Sequence, residues 1–165
     1  MKITLLYTEV CGFSREMADY VAAGLADYFD ETPYYLEVKL MNTEHHQEVD
    51  TQFIEESQAV LLATPVVDAY VSKQIHKFII YEQELNLCGK LAAFATTDGM
   101  QQNAEAAASR LIMEMIKRGM LVCTGGAASG RNIDESEFNS YIGSQMRLFG
   151  KRIAGTITEL YGKDM

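Results

Sequence analysis

The chain has 165 residues, 48% of them hydrophobic and only two of them proline, which fits one packed domain with a substantial core. A formal net charge of −9 argues against a nucleic-acid-binding surface, which needs phosphate-neutralising Lys and Arg; a small anion would have to be held by backbone N–H groups and hydroxyls. The three cysteines, Cys11, Cys88 and Cys123, are widely spaced with no CxxC pair or zinc spacing, and no apolar run is long enough for membrane insertion. Met1-Lys2-Ile3-Thr4 enters a strand at once, without a signal-peptide layout, so the expectation is a cytoplasmic protein with reduced thiols.

The chain alternates strand and helix. Lys2–Tyr7 is a short β-prone run, and Arg15–Phe29 follows with Met17, Val21, Ala22, Leu25 and Phe29 at helical spacing. Tyr34–Met41 alternates as a strand, Asp50–Glu56 reads as a short helix, and Ala59–Thr64 is a buried strand expected to end at Pro65. Ser72–Leu85 reads as a helix offering Ile75, Phe78, Ile79 and Tyr81 to a core, and Lys90–Thr96 is the next strand. Asn103–Arg118 is a helix with a stripe of Ala104, Ala108, Leu111 and Met115, flanked by Ala107, Ile112 and Ile116; Gly119 suits its stop. Met120–Cys123 is a fifth strand, the run 125–130 a glycine-rich loop, and Glu135–Tyr161 a long last helix with Ile142, Met146, Phe149, Ile153, Ile157 and Leu160 on one face. Five apolar strands alternating with helices predict an α/β three-layer sandwich around a parallel sheet. Right-handed crossovers and this length favour the order 2-1-3-4-5, with a ligand crevice beyond the carboxyl ends of strands 1 and 3.

Three loops would then line that crevice: Thr8–Ser14 after strand 1, Thr64–Tyr70 after strand 3 and Thr96–Gln102 after strand 4, each leaving its strand with Thr. The first joins a buried strand to a helix N-terminus, where unpaired N–H groups and the helix dipole favour an anion. Gly12 lets backbone come close, and Thr8 and Ser14 bring hydroxyls; Ser14 is equally a good N-cap.

Other candidates carry less. Cys11 sits where a helix N-terminus lowers a thiol pKa, but a phosphatase loop needs Cys, five residues and Arg, and here Arg15 follows after three. A loop residue with ordinary thiol chemistry is the better reading. His45 and His46, beside Glu44 and Glu48, could suggest a metal, yet adjacent loop side chains point apart; these and His76 read as solvated surface, and no metal site is assigned. The run 125–130 lacks the lysine of a P-loop.

The opening Leu5-Leu6-Tyr7-Thr8 followed by Gly12-Phe13-Ser14-Arg15-Glu16-Met17-Ala18, the run from Thr64-Pro65 to Phe78, Gly89–Thr96, Arg118–Val122 and Leu148–Ala154 together resemble the flavodoxin-like FMN-binding proteins. Within them they resemble the NAD(P)H-dependent FMN reductases and the quinone oxidoreductases related to the Trp-repressor-binding protein. The resemblance spans nearly the whole chain and implies a single flavodoxin-like domain over residues 1–165. It implies FMN as cofactor, its phosphate held by Thr8, Cys11, Gly12, Phe13 and Ser14. The ring would be flanked by Pro65, Val66, Val67, Asp68 and Ala69 on one side and by Thr96, Thr97, Asp98 and Gly99 on the other.

The implied activity is an FMN-dependent oxidoreductase passing hydride from NAD(P)H, as co-substrate, to a quinone or similar small-molecule electron acceptor. No side chain is named as catalytic, and the resembled family commonly forms homo-oligomers. Two alternatives stay open: a flavodoxin-like electron carrier, and a flavodoxin-like binding module that has lost FMN. The last rests on departures from the family pattern. Phe13 follows the loop glycine, Val67 stands for an aromatic and Ala69 for a glycine. Asp98, at a position that is often glycine, would set a carboxylate near reduced flavin and lower its potential.

Overall fold

The computed structural model describes residues 1–9, 14–67, 70–81, 84–98, 101–123, 126–129 and 141–164. Strands β1 (Lys2–Tyr7), β2 (Glu37–Asn42), β3 (Ala59–Val67) and β5 (Leu91–Asp98) are parallel neighbours in the order β2-β1-β3-β5. The last position is shared by two short parallel strands on β5, β6 (Leu121–Val122) and β7 (Gly126–Ser129). The result is the five-position parallel order 2-1-3-4-5 that the sequence predicts. A two-residue strand, β4 (Tyr70–Val71), folds back antiparallel on the end of β3.

Alternation along each strand divides the core. Ile3, Leu5 and Tyr7 of β1, Leu61 and Ala63 of β3, and Ala93 and Ala95 of β5 face helices α1 (Ser14–Phe29) and α5 (Gly143–Tyr161). Leu6, Val60, Leu62, Ala92 and Phe94 face the other way, onto α2 (Thr51–Glu56), α3 (Lys73–Tyr81) and α4 (Gln101–Lys117). Both faces are apolar because helices cover both, as parallel sheets require.

Local chemistry sets the ends. Asp50 caps α2, accepting from the Phe53 N–H at 2.9 Å, and its other oxygen takes the Lys39 ammonium at 2.6 Å. Ser57 closes α2: its hydroxyl donates to the Phe53 carbonyl at 2.8 Å, so in the 2.9 Å contact with Thr4 the Thr4 hydroxyl must be the donor. Lys90 adds an ammonium on the carbonyls of Glu55, in α2, and of its C-cap Ser57, at 2.6 and 2.7 Å. Gly119 ends α4 at φ +74°, a backbone shape that glycine adopts without strain. Helices α1 and α5 cross at a pair of glycines, Gly24 and Gly150, whose missing side chains let one backbone touch the other.

Several boundaries differ from expectation. β3 runs through Pro65 to Val67 instead of stopping, because β1 ends at Tyr7, opposite Ala63. Beyond that point β3 has a sheet neighbour on one side only, where a residue without an N–H is tolerated. Helix α3 stops at Tyr81, although Leu85 beyond it is still buried. Gly126–Ser129, expected as loop, is strand β7, drawn into register by Ala95 to Asp98. Ile116 and Leu160, expected on buried faces, are about half exposed; the contact faces hold smaller residues instead, Ala107 on α4 and Gly143, Gly150 and Ala154 on α5. The N-terminal part of the expected last helix lies outside the described residues.

Candidate functional site at the carboxyl edge of the sheet

Strand register puts the three expected loops on one edge. Tyr7 pairs with Ala63 and Ala63 with Ala95; one residue further, Thr64 pairs with Thr96, and Thr8 follows Tyr7 in the same row. Thr8, Thr64 and Thr96 are all fully buried. The edge is stepped. β1 ends below this row, whereas β3 projects by Pro65, Val66 and Val67, about 10 Å at strand rise. The N-terminus of α1 and the end of β1 therefore lie beside a rising wall formed by β3.

The threonine hydroxyls have three different fates. The Thr64 hydroxyl is spent inside the fold, donating to the Pro65 carbonyl at 3.1 Å and accepting from the Ser72 N–H at 3.2 Å. Ser72 in turn caps α3, its hydroxyl accepting from the Ile75 N–H at 3.2 Å. The second loop is thus a β-hairpin, with Val66 opposite Val71 and Val67 opposite Tyr70, locked at its base by Thr64 and Ser72. The Thr8 hydroxyl donates to Glu44 Oε1 at 3.2 Å. The Thr96 hydroxyl has no hydrogen-bond partner among the described residues although its oxygen is buried.

Ser14 corrects a second expectation. It lies within α1 rather than capping it, and its buried hydroxyl oxygen has no partner either among the described residues. A buried polar atom without a partner costs about 1–3 kcal/mol; two of the three such hydroxyls among the described residues, Ser14 and Thr96, belong to this edge, and the third, Thr158, lies in α5. The local charge is net negative: the single cation Arg15 lies 3.7 Å from Glu9 and 4.0 Å from Asp19, all well exposed. Burial raises the Tyr7 phenol above its ordinary range, with Arg15 pulling the other way.

Among the other expected site residues, Pro65 and Val66 are buried in β3, and Val67, Thr97 and Asp98 lie within strands rather than in loops. Thr97 pairs with Pro65 and with Ala128, and Asp98 with Ser129. Cys11, Gly12, Phe13, Asp68, Ala69 and Gly99 lie outside the described residues. Cys88 and Cys123 are free thiols. His45 and His76 are exposed, and Glu44, next to His45 in sequence, turns to Thr8. Glu44 is the site neighbour that reading the sequence missed; the signal was there in register, since Asn42 pairs with Tyr7 and Glu44 follows two residues on. Among the described residues no helix is long and apolar enough to cross a membrane.

No family model matches the chain. Over 98% of its length it is 31% identical to a flavodoxin of Clostridium saccharobutylicum, all of which the match covers. Similar solved structures include an oxidoreductase from Corynebacterium diphtheriae, with a TM-score of 0.77 and 16% identity over 98% of this chain and 97% of that one. A flavodoxin from the domain Archaea gives a TM-score of 0.71 at 15% identity, covering 96% and 99% of the two chains. Oxidised flavodoxin 1 from Bacillus cereus gives 0.68 at 18%, covering 91% and 95%. At such identities the solved structures show a shared fold. With the full-length relative and the strand order, they lead to one conclusion: the chain belongs to the flavodoxin family.

Proposed function

We propose that this chain binds FMN at the carboxyl edge of the sheet and serves as an electron carrier. The observation that carries the reading is a pair of buried hydroxyls without a partner among the described residues, Ser14 at the start of α1 and Thr96 on β5, on either side of the β3 wall. A phosphate at the α1 N-terminus would accept from Ser14 and from the open N–H groups of the first turn. A flavin ring lying along Pro65 and Val66 has Thr96 on the neighbouring strand as a polar contact. The residues present fit the group: hydroxyls and helix N–H groups suit a phosphate in a chain whose net charge is −9. Bound FMN would supply the redox chemistry, and the protein supplies binding, orientation and local electrostatics. The carrier role is supported by full-length likeness to a protein named flavodoxin.

A second reading, an NAD(P)H-dependent oxidoreductase acting on a quinone or similar acceptor, is favoured by the run from Thr64 to Phe78, the segment most like that subfamily. Titrating the purified protein with FMN, and with riboflavin as control, tests the cofactor. Saturable fluorescence quenching, stronger for FMN, is expected, and no change with either flavin refutes the proposal. Adding NAD(P)H to the loaded protein then separates the two roles: a carrier stays oxidised until a reductase is supplied, whereas the oxidoreductase bleaches at once.

A further inference from the structure

Glu44 stands where a bound phosphate would need its hydrogen-bond donor. Its carboxylate accepts from the Thr8 hydroxyl at 3.2 Å, at the end of β1 where the first loop begins. This placement is built into the backbone. Thr43, buried, is tied to the Tyr7 carbonyl twice, by its N–H at 2.8 Å and its hydroxyl at 3.1 Å. The Glu44 N–H donates to Asn42 Oδ1 at 3.0 Å. Residue 44 is therefore held beside Thr8, while its own side chain is exposed and free to swing into solvent. Ser14, 1% exposed, is left without a partner close by in sequence at the start of α1.

We infer that Glu44 is a specificity-determining residue of the flavin site: its carboxylate competes with the ligand's phosphate for the Thr8 hydroxyl and so sets how strongly FMN is preferred over a flavin without phosphate. The inference rests on the proposed flavin reading. A phosphate and a carboxylate cannot share one hydroxyl proton, and two anions at hydrogen-bonding range repel each other while both face the buried Thr8 hydroxyl. FMN must displace Glu44 or bind beside it at reduced affinity. Riboflavin, whose ribityl end is neutral, meets no such opposition.

The test is a fluorescence titration of FMN and of riboflavin against the wild type, Glu44→Gln and, as a control for net charge, Glu48→Gln in the exposed turn just beyond. Glu44→Gln, whose amide oxygen is a weaker, uncharged acceptor, is expected to tighten FMN about tenfold, as loss of the charge-assisted character of the bond and of the repulsion predicts, with riboflavin changed less than about twofold. Glu48→Gln should change FMN binding by less than about twofold by ordinary screening of an exposed charge. Equal FMN affinity for wild type and Glu44→Gln, or an equal gain in Glu48→Gln, overturns the inference and leaves the flavin reading standing. Equal gains for FMN and riboflavin in Glu44→Gln overturn it as well. Failure of both flavins to bind any of the three proteins refutes the flavin reading, and the inference falls with it. Thermal melting of each variant confirms that the fold is intact.

Discussion

Replacing Gly24 by alanine sets two known effects against each other. Helix propensity alone favours the change by about 0.8–1 kcal/mol, since Gly24 lies in the interior of α1. Packing opposes it. A Cβ on Gly24 would lie 2.0 Å from the Arg147 carbonyl oxygen and 2.8 Å from its carbon, both backbone atoms of α5. That is about 1 Å inside the 3.0 Å approach that real Cβ atoms respect, and backbone atoms cannot rotate aside. The two helices must separate by about that distance. A gap of this size forfeits a quarter to a half of each dispersion contact along the crossing, and overpacking of this kind costs about 1–3 kcal/mol. The reciprocal site is equally tight, with a Cβ on Gly150 lying 2.2 Å from the Val21 carbonyl. Because both contacts are with backbone, we take the upper end of the range and expect Gly24→Ala to destabilise by about 2 kcal/mol net. Gly155→Ala is the matched control in α5: its Cβ would meet the Tyr28 ring at 3.7 Å, ordinary contact, so propensity prevails and stability rises by about 0.5–1 kcal/mol. Urea unfolding followed by far-ultraviolet circular dichroism reads both, with the m-value held constant as the check on two-state behaviour. Equal or greater stability of Gly24→Ala, or the same shift for both variants, would refute the close-contact argument.

Three further outcomes follow from particular contacts. Thr96→Val removes a hydroxyl with no partner and keeps the shape, so the apo protein should be as stable as wild type or about 1 kcal/mol more so in the same urea assay, while FMN affinity falls several-fold. A loss of apo stability would show that the hydroxyl is paired. Arg118→Met removes guanidinium donors to the Ile79 and Leu85 carbonyls, both at 2.6 Å, and should cost about 1.5–3 kcal/mol; a change near zero in the denaturation midpoint would sink the claim that Arg118 fastens the end of α3. The Arg147 fork beside Asp27, with Lys151 adding to it, lowers that carboxyl from 3.8 to about 2. A carboxylate whose folded-state pKa is depressed stabilises the fold above its unfolded value and loses that contribution as pH falls through the folded one. The melting-temperature gap between wild type and Asp27→Asn should therefore be small but constant above about pH 5 and close toward pH 2. A gap that persists at the acid end would assign it to packing.

The sheet and its order are legible because parallel strands covered on both faces are apolar, and the central strands β1, β3 and β5 carry that mark, whereas the edge strand β2 alternates and buries only Met41. Less legible were features that depend on what lies opposite. Pro65 reads as a strand end until one knows that β1 has already stopped beside it. Gly126 to Ser129 has no strand propensity of its own and takes strand form from its register with Ala95 to Asp98. Large residues mark a helix face in a sequence and glycines do not, so the close approach of α1 and α5 at Gly24 and Gly150 leaves no sequence mark, and Leu160, apolar and in helical register, is nonetheless 45% exposed. In the site, residue types in the first and third loops marked the right edge. Which hydroxyl is used internally and which is left open depends on contacts tens of residues apart, such as Ser72 on Thr64 and Glu44 on Thr8.

Those contacts also explain why one edge of the sheet can be both a rigid part of the fold and a place for a ligand. Thr8, Thr64 and Thr96 occupy one row on neighbouring strands, where an apolar residue would serve the core better. Thr64 is fully used: it holds the hairpin against α3, so the wall beside the crevice has its shape before any ligand arrives. Thr96 carries the cost of a hydroxyl without a partner among the described residues, which a bound ligand would offset. Thr8 stands between the two, paired with a side chain that can leave. A row of three identical residues is thereby divided into a structural lock, an open contact and an occupied one. The occupied position is where a single charge change is expected to act on affinity without disturbing the fold.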